Sequence, residues 1–597
     1  MMRNGVDRTM KAMARRVIVV GVVLAILALA CLGRLVSIQL LEGKSIAQAA
    51  TASRTLPVTI SANRGRILDR NGTVLASSAE RYTVVANPEA VATFEPVTCT
   101  TKTKSYCHEI DGKPVGVTGA AAVARLVAPI LKMNAMKLGA IMSVSGQYAV
   151  LKKDVTPQVM RELDALNLGG YIYGELSSDR LYSSGTMAGA LIGGVNDDGD
   201  GVGGIELMEN KTLNGKDGYK VYQQGNGGEE IPGTVTKSRD AVDGSDVELT
   251  IDSDVDWYVK KVLQDGVKTY EADWALAVVQ DVSTGQIIAL DDSDSITAGS
   301  DTAKMGVARA VGTTFEPGSI GKVLSMSGML QTGAHKLTDK FTVPWRIEKD
   351  GQTYQDAEEH ATSNWTLSGI LQQSSNVGMV MAGEKYSDSD RYKFLTKFGI
   401  GQSSGMGIPG ESSGTLTGPE VWDGRTRNTV LFGQGYATNV LQITNAIAAI
   451  ANKGVRTQQS IIKSVISPDG KVTHPTTGKA VRVVDEDVAS QMMDAMESAA
   501  EHYDQFAKVD GYRVASKSGT AEVAGSDGKL TGIVADWAGI IPADNPRFVI
   551  TVVIKNPQGI YGGLTAGPLF KQIGEFLMQK YQVPTSEARK SAIPVDW

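Results

Sequence analysis

Ser319 and Lys322 stand three residues apart in TFEPGSIGKVLSM. Pro317-Gly318 punctuates the chain and an apolar run follows, so the sequence predicts a helix opening at Ser319, near N-cap or N1. Lys322 then lies on the same helix face. A serine hydroxyl is a poor nucleophile until a base takes its proton. An amine can do so once burial or a neighbouring cation has lowered its pKa. The helix N-terminus favours developing negative charge. The pair alone is weak, because a serine-rich chain repeats it by chance. Two further groups strengthen it: Ser374-Ser375-Asn376 in the apolar, helical context GILQQSSNVGMV, and Lys517-Ser518-Gly519-Thr520 in the strand-like YRVASKSGTAEVA.

Each residue type has work to do in acyl transfer. Ser319 is acylated and Lys322 accepts its proton. Ser374 relays a proton toward the leaving amine, and Asn376 binds a substrate amide or positions Lys322. Lys517 depresses the Lys322 pKa and attracts a substrate carboxylate, which the Ser518 and Thr520 hydroxyls can also bind. Gly519 admits substrate close to the strand. The N–H groups of Ser319 and Thr520 are the expected oxyanion hole, and a peptide substrate would add along the edge of the Lys517 strand.

Other patterns carry less. Asn196, Asp198, Asp200 and Gly201 imitate the start of a calcium loop, but the twelfth position is Leu207, so an Asp/Gly turn is expected instead. Gly410-Glu-Ser412-Ser-Gly414 and Gly401-Gln-Ser403-Ser-Gly405 satisfy G-x-S-x-G, yet both sit in a turn-rich loop and not between a buried strand and a helix. With five histidines, no H-E-x-x-H and no C-x-x-C, no metal site and no cofactor are expected. The 65 acids exceed the 59 bases, which argues against nucleic acid as a partner.

The elements around these residues come from length and pattern. The 597 residues make about four domain equivalents and can bury large cores, which excludes small disulfide- or zinc-stapled classes. Residues 17–33 carry no charge and follow Arg3, Arg8, Lys11, Arg15 and Arg16, which predicts a single uncleaved membrane anchor with a cytoplasmic N-terminus. A cleaved signal peptide, or a lipoprotein signal using Cys31, fits the length and flanks less well. Helix is expected to continue over 37–50. TLPVTI then reads as a strand, followed by a strand–turn–strand at Arg70-Asn71-Gly72, helices over 120–132 and 155–166, and a helix in GIELMENKTLNG. Residues 214–245 show no core pattern. After them come a strand and amphipathic helix over 246–270, and a hairpin turning at Ser283-Thr284-Gly285. Cys99 and Cys107 fall outside the membrane in this scheme, either as a disulfide closing a small loop or as two free thiols.

The three groups in this order resemble the apparatus of penicillin-binding proteins and serine β-lactamases. The likeness extends further. Arg64 to Gly72, Arg180-Leu-Tyr182 with Ala188 to Val195, and Gly204-Ile-Glu206 through Gly215 resemble the pedestal motifs of class B penicillin-binding proteins, the monofunctional peptidoglycan D,D-transpeptidases. VVQDVSTGQIIAL, GQGYATNVLQITNAIAAIANKG and ADWAGIIPADNPRFVITVVI resemble their transpeptidase domain. Ile320-Gly321 inside the first motif, Ser518 in place of Thr and the cysteine-bearing insertion at 97–118 depart from the pattern.

The resemblance implies an α+β protein: cytoplasmic tail 1–16, transmembrane helix 17–37, elongated mixed pedestal 38–245, transpeptidase domain 246–585 and C-terminal tail 586–597. That domain would be an antiparallel sheet covered by helices, plus an all-helical lobe. The implied partners are peptidoglycan stem peptides, β-lactams, the membrane, a membrane glycosyltransferase and other divisome proteins. The division-type branch is favoured over the elongation branch. A β-lactam sensor or β-lactamase, a non-catalytic scaffold and a Ser-His hydrolase are the alternatives.

Overall fold

Along the strand Trp274–Asp281, Ala275, Ala277 and Val279 enter one core while Leu276 and Val278 enter another. A strand buried on both faces needs a layer on each side. It belongs to a five-stranded antiparallel sheet in the order Ile287–Asp292, Trp274–Asp281, Phe548–Lys555, Leu530–Ile541, Ala515–Ala524. Helices Ser253–Thr269 and Gly562–Lys580 cover one face through Val259, Leu263, Leu569 and Phe570. The other face packs on the helix Val440–Ala451, which is buried throughout and is started by a capping box between Asn439 and Gln442. Its buried polar side chains are paired: Thr444 donates to the Thr551 hydroxyl and Asn445 accepts from Gln280. The hairpin turn falls at Ser283-Thr284-Gly285, where the Asp281 carboxylate accepts hydrogen bonds from both hydroxyls.

This is a computed structural model, and it describes residues 3–41, 43–44, 55–223, 230–476, 478–524 and 530–597. The chain forms two units. The one containing the five-stranded sheet comprises Asn63–Ala79, Asp179–Gly215 and Asp243–Trp597. In it the short strand Ile67–Leu68 lies parallel to Asp246–Leu249, which pairs antiparallel with Ile462–Ile466. The fully buried Glu206 carboxylate bridges two arginines, Arg64 Nε and Arg180 Nε, each at 2.7 Å. Asn196 makes an Asx turn, its side-chain oxygen accepting from the N–H groups of Asp198 and Asp200. The 589–597 segment is docked: Arg589 pairs with Asp494 and Glu501, and the Val595 carbonyl accepts the Thr366 N–H at 2.9 Å.

The other unit comprises Met1–Ala62, Glu80–Ser178 and Lys216–Val242. Its helix Arg3–Val36 supplies most of the span Ala12–Gln39, which has mean hydropathy 2.7 and is long and apolar enough to cross a membrane. Its core gathers Val123, Val127 and Leu131 of the helix Gly119–Leu131 with Leu138, Leu151 and Leu163. Cys99 and Cys107 form a disulfide, their Cα atoms 4.9 Å apart.

Four local expectations differ from the structure. The segment 214–245 contains the strand Gly218–Gln223, which pairs through its backbone with Thr55–Ile60 on one side and with a second strand, Lys237–Arg239, on the other. They bury little side chain, so no apolar pattern marks them. The helix in GIELMENKTLNG breaks into Gly204–Met208 and Asn210–Leu213, with the Asn210 side chain turned to accept from Arg64 at 2.7 Å. The stretch read as helix from 155 divides into the strand Ala149–Val155 and the helix Pro157–Asp164, because Pro157 fits the first helical turn. Past the anchor, Ser37–Leu41 forms a π-helical turn, and residues 45–50 lie outside the described residues.

Candidate active site

Ser319 sits in a 3₁₀ turn, Gly318–Ile320, and the α-helix begins only at Gly321. Gly318 adopts φ +48°, and a Cβ there would lie 2.7 Å from the Thr520 carbonyl oxygen and 3.0 Å from its nitrogen. That close approach lays the turn carrying Ser319 directly against the Ala515–Ala524 strand.

Lys322 is fully buried. Its Nζ lies 2.6 Å from Ser319 Oγ, 2.7 Å from the Ser374 carbonyl, 2.8 Å from Asn376 Oδ1 and 3.3 Å from Ser374 Oγ. A neutral amine has two N–H donors and one lone pair. The Ser374 carbonyl and Asn376 Oδ1 take the donors, which leaves the lone pair for the Ser319 hydroxyl. Burial holds the Lys322 pKa well below the usual lysine value, and the charge of Lys517 lowers it further.

Ser374 lies in the junction between helices Leu367–Gln372 and Asn376–Ala382, and Asn376 opens the second, so the two are not within one helix as the sequence suggests. Ser374 is held at φ +58°, and Ser375 caps the second helix by accepting the Gly378 N–H. A non-glycine residue at positive φ is strained and persists only where its surroundings fix it. Lys517 Nζ lies 3.0 Å from Ser374 Oγ and 2.8 Å from the Ser518 carbonyl, so the Ser374 hydroxyl stands between two lysines. Burial pulls the Lys517 pKa down to about 7, with Asp536 opposing. The Thr520 hydroxyl accepts the Gly562 N–H at 3.2 Å.

Asp356 was not singled out from the sequence, where it is one acid among several in QDAEEH. Its carboxylate accepts from the N–H groups of Asn376 (2.6 Å) and Val377 (2.9 Å), from Ser375 Oγ (2.6 Å) and from His360 Nε2 (3.0 Å). It therefore fixes the loop that aims Asn376 at Lys322. Asp356→Ala strands these donors, and displacing Asn376 by an ångström is expected to slow acylation about 100-fold. Stopped-flow acylation with a chromogenic β-lactam checks this, and a rate within threefold of wild type would contradict it.

The decoy serines lie elsewhere in the loop structure. Ser403 accepts the Gly405 N–H at 3.2 Å, and Ser412 accepts the Gly414 N–H at 3.3 Å, so each hydroxyl caps its own turn.

The sequence profile described as "Penicillin binding protein transpeptidase domain" matches residues 275–575, which include every group of this site. A second, "Penicillin-binding Protein dimerisation domain", matches residues 59–249. The chain belongs to the penicillin-binding proteins. It is 33% identical to penicillin-binding protein PbpB of Mycolicibacterium smegmatis, over 68% of this chain and 66% of that protein. It is 30% identical to the peptidoglycan D,D-transpeptidase FtsI of Escherichia coli, over 91% of this chain and 88% of that protein. A crystal structure of a peptidoglycan synthetase from Bifidobacterium adolescentis shares 64% identity and superposes with a TM-score of 0.75, covering 91% of this chain and all of that one. As a penicillin-binding protein with a transpeptidase domain, this chain is a transpeptidase of mixed α+β fold.

Proposed function

We propose that this protein cross-links peptidoglycan stem peptides during septal wall synthesis, through an acyl-enzyme on Ser319. The carrying observation is the 2.6 Å contact between Ser319 Oγ and the buried Lys322 amine. Ser319 Oγ attacks the penultimate D-Ala carbonyl while its proton passes to Lys322 Nζ. The tetrahedral oxyanion is received by the N–H groups of Ser319 and Thr520. Collapse breaks the D-Ala–D-Ala amide, and the proton leaves with terminal D-Ala by way of Ser374 Oγ. An amine of a second stem then attacks the ester, returning its proton along the same route, so the broken amide supplies the energy of the new one. Lys517, Ser518 and Thr520 hold the substrate carboxylate. Gly519 lets the donor peptide lie along Ala515–Ala524, whose position at the edge of the sheet supports strand addition.

In this reading residues 17–37 anchor the chain, 38–245 form the pedestal, and 246–585 carry the chemistry outside the cytoplasm. β-Lactams acylate Ser319 as substrate mimics. A membrane glycosyltransferase supplies the glycan strands, within a division assembly.

Labelling the full-length protein with fluorescent penicillin, then mass-mapping the adduct, tests the proposal. The wild type is expected to carry one adduct on Ser319, stable for many minutes, and Ser319→Ala none. An adduct on another residue overturns the site. Rapid release of hydrolysed β-lactam points to a β-lactamase instead.

A further inference from the structure

On the strand Leu530–Ile541, Val534, Ala538 and Ile540 face the same core as Ile320 and Val323 of the nucleophile segment, while Ala535 and Trp537 face the opposite layer. Asp536 falls on the Val534 face, where the alternation calls for an apolar residue, and is 1% exposed. Neither of its carboxyl oxygens has a hydrogen-bond partner among the described residues. An unpaired ionised carboxylate in such a place is costly, so the site needs another explanation.

The neighbours supply one. Asp536 stands directly across from Gly519 in the strand register. A Cβ on Gly519 would lie 1.9 Å from Asp536 Oδ1 and 2.6 Å from the Pro317 carbonyl oxygen. Two acceptor oxygens therefore converge on the bare Cα of Gly519. Acceptors crowded together in a dry site repel unless one of them carries a proton. Lys517 shares this face but spends its hydrogen bonds on Ser374 and Ser518, not on Asp536. The buried Tyr436 hydroxyl also lies within electrostatic reach of Asp536, and burial holds its pKa well above the usual tyrosine value, so it is uncharged. Burial pushes the Asp536 carboxyl well above the usual carboxylate range, against the pull of Lys517.

We propose that Asp536 is a positioning residue that remains a neutral carboxylic acid and donates its O–H to the Pro317 carbonyl. That bond ties the turn carrying Ser319 to the sheet and keeps Ser319 and Thr520 in register. The Pro317 carbonyl already accepts the Ile320 N–H at 3.2 Å and has a second lone pair free for Asp536. Neutrality matters as well. An ionised Asp536 would compete with the substrate carboxylate for Lys517. The catalytic consequence rests on the assignment of Ser319 as nucleophile, whereas the protonation state does not.

Infrared difference spectroscopy of the full-length protein, wild type minus Asp536→Asn at neutral pH, reads the protonation directly. A protonated carboxyl C=O band that shifts on ¹³C-aspartate labelling is expected, and ionised carboxylate bands in its place overturn the proposal. Asp536→Asn keeps a donor and is expected to acylate within about threefold of wild type. Asp536→Val keeps the bulk without a donor and is expected to lose about tenfold or more, the worth of one hydrogen bond. An Asn variant as slow as the Val variant, or a Val variant as fast as wild type, also overturns it. If no variant is acylated at Ser319 while the infrared band is present, the functional reading has failed and the neutral acid stands.

Discussion

Lys322→Met is expected to lower the rate of β-lactam acylation about 10³-fold while raising the melting temperature at neutral pH. The rate loss follows from removing the proposed general base, in direct contact with the proposed nucleophile, worth about 10²–10⁴. The stability gain has the opposite cause. Folding forces this amine to give up its proton, because burial depresses its pKa from 10.5. The unfolded lysine binds that proton, so the wild-type site gains stability as pH rises from the lowered folded value toward 10.5. The thermal advantage of Lys322→Met should therefore shrink as pH approaches the ordinary lysine range. Acylation by the wild type should fall as pH drops through the lowered value, since protonation removes the base. A Met variant that acylates normally, or one that melts lower at neutral pH, would show that the buried amine has been misread.

Glu206→Ala is expected to destabilise the sheet-containing unit by about 3–5 kcal/mol, because it leaves two guanidinium groups buried without their shared anion. Arg64 and Arg180 each lie 2.7 Å from the carboxylate, and their side chains are only 8% and 4% exposed. Arg64 also donates to the Glu206 carbonyl at 2.8 Å, a bond that survives the substitution and holds the charge in place. Glu206→Gln preserves shape but not charge and should fall between wild type and Ala. A urea-unfolding midpoint followed by tryptophan fluorescence reads the difference. A loss below about 1 kcal/mol would place this pair with exposed ion pairs of little worth.

The groups proposed to react were legible because chemistry restricts residue type. Ser319, Lys322, Ser374, Asn376 and Lys517 could be picked out by kind and order, and the structure brings them within hydrogen-bond reach of one another. The supporting groups were less legible, because their partners are chosen by where the chain returns. Asp356 looks like any acid in a charged run until the Asn376 loop folds over it. Ser375 reads as a mid-helix serine, but it is the cap that separates two helices. Ser319 reads as a helix opener. A 3₁₀ turn comes first, with the backbone of Gly318 pressed against a strand made some 200 residues later. Asp536 did leave a trace, a lone acid in the apolar strand IVADWAGII. Strands Gly218–Gln223 and Lys237–Arg239 left none, since backbone pairing with little burial writes no hydrophobic period.

The order of strands in the sheet has a consequence for biogenesis. Trp274–Asp281 pairs with Phe548–Lys555, and Ala515–Ala524 pairs only with the still later Leu530–Ile541. A ribosome therefore completes Ser319 and Lys322 well before the residues that bury and activate them exist. A nascent or truncated chain holds its lysine in water, protonated, beside an unreactive serine. On the proposed mechanism reactivity arrives when the late strands zip into the sheet, and a chain cut short before them is expected neither to cross-link wall peptides nor to be acylated by a β-lactam.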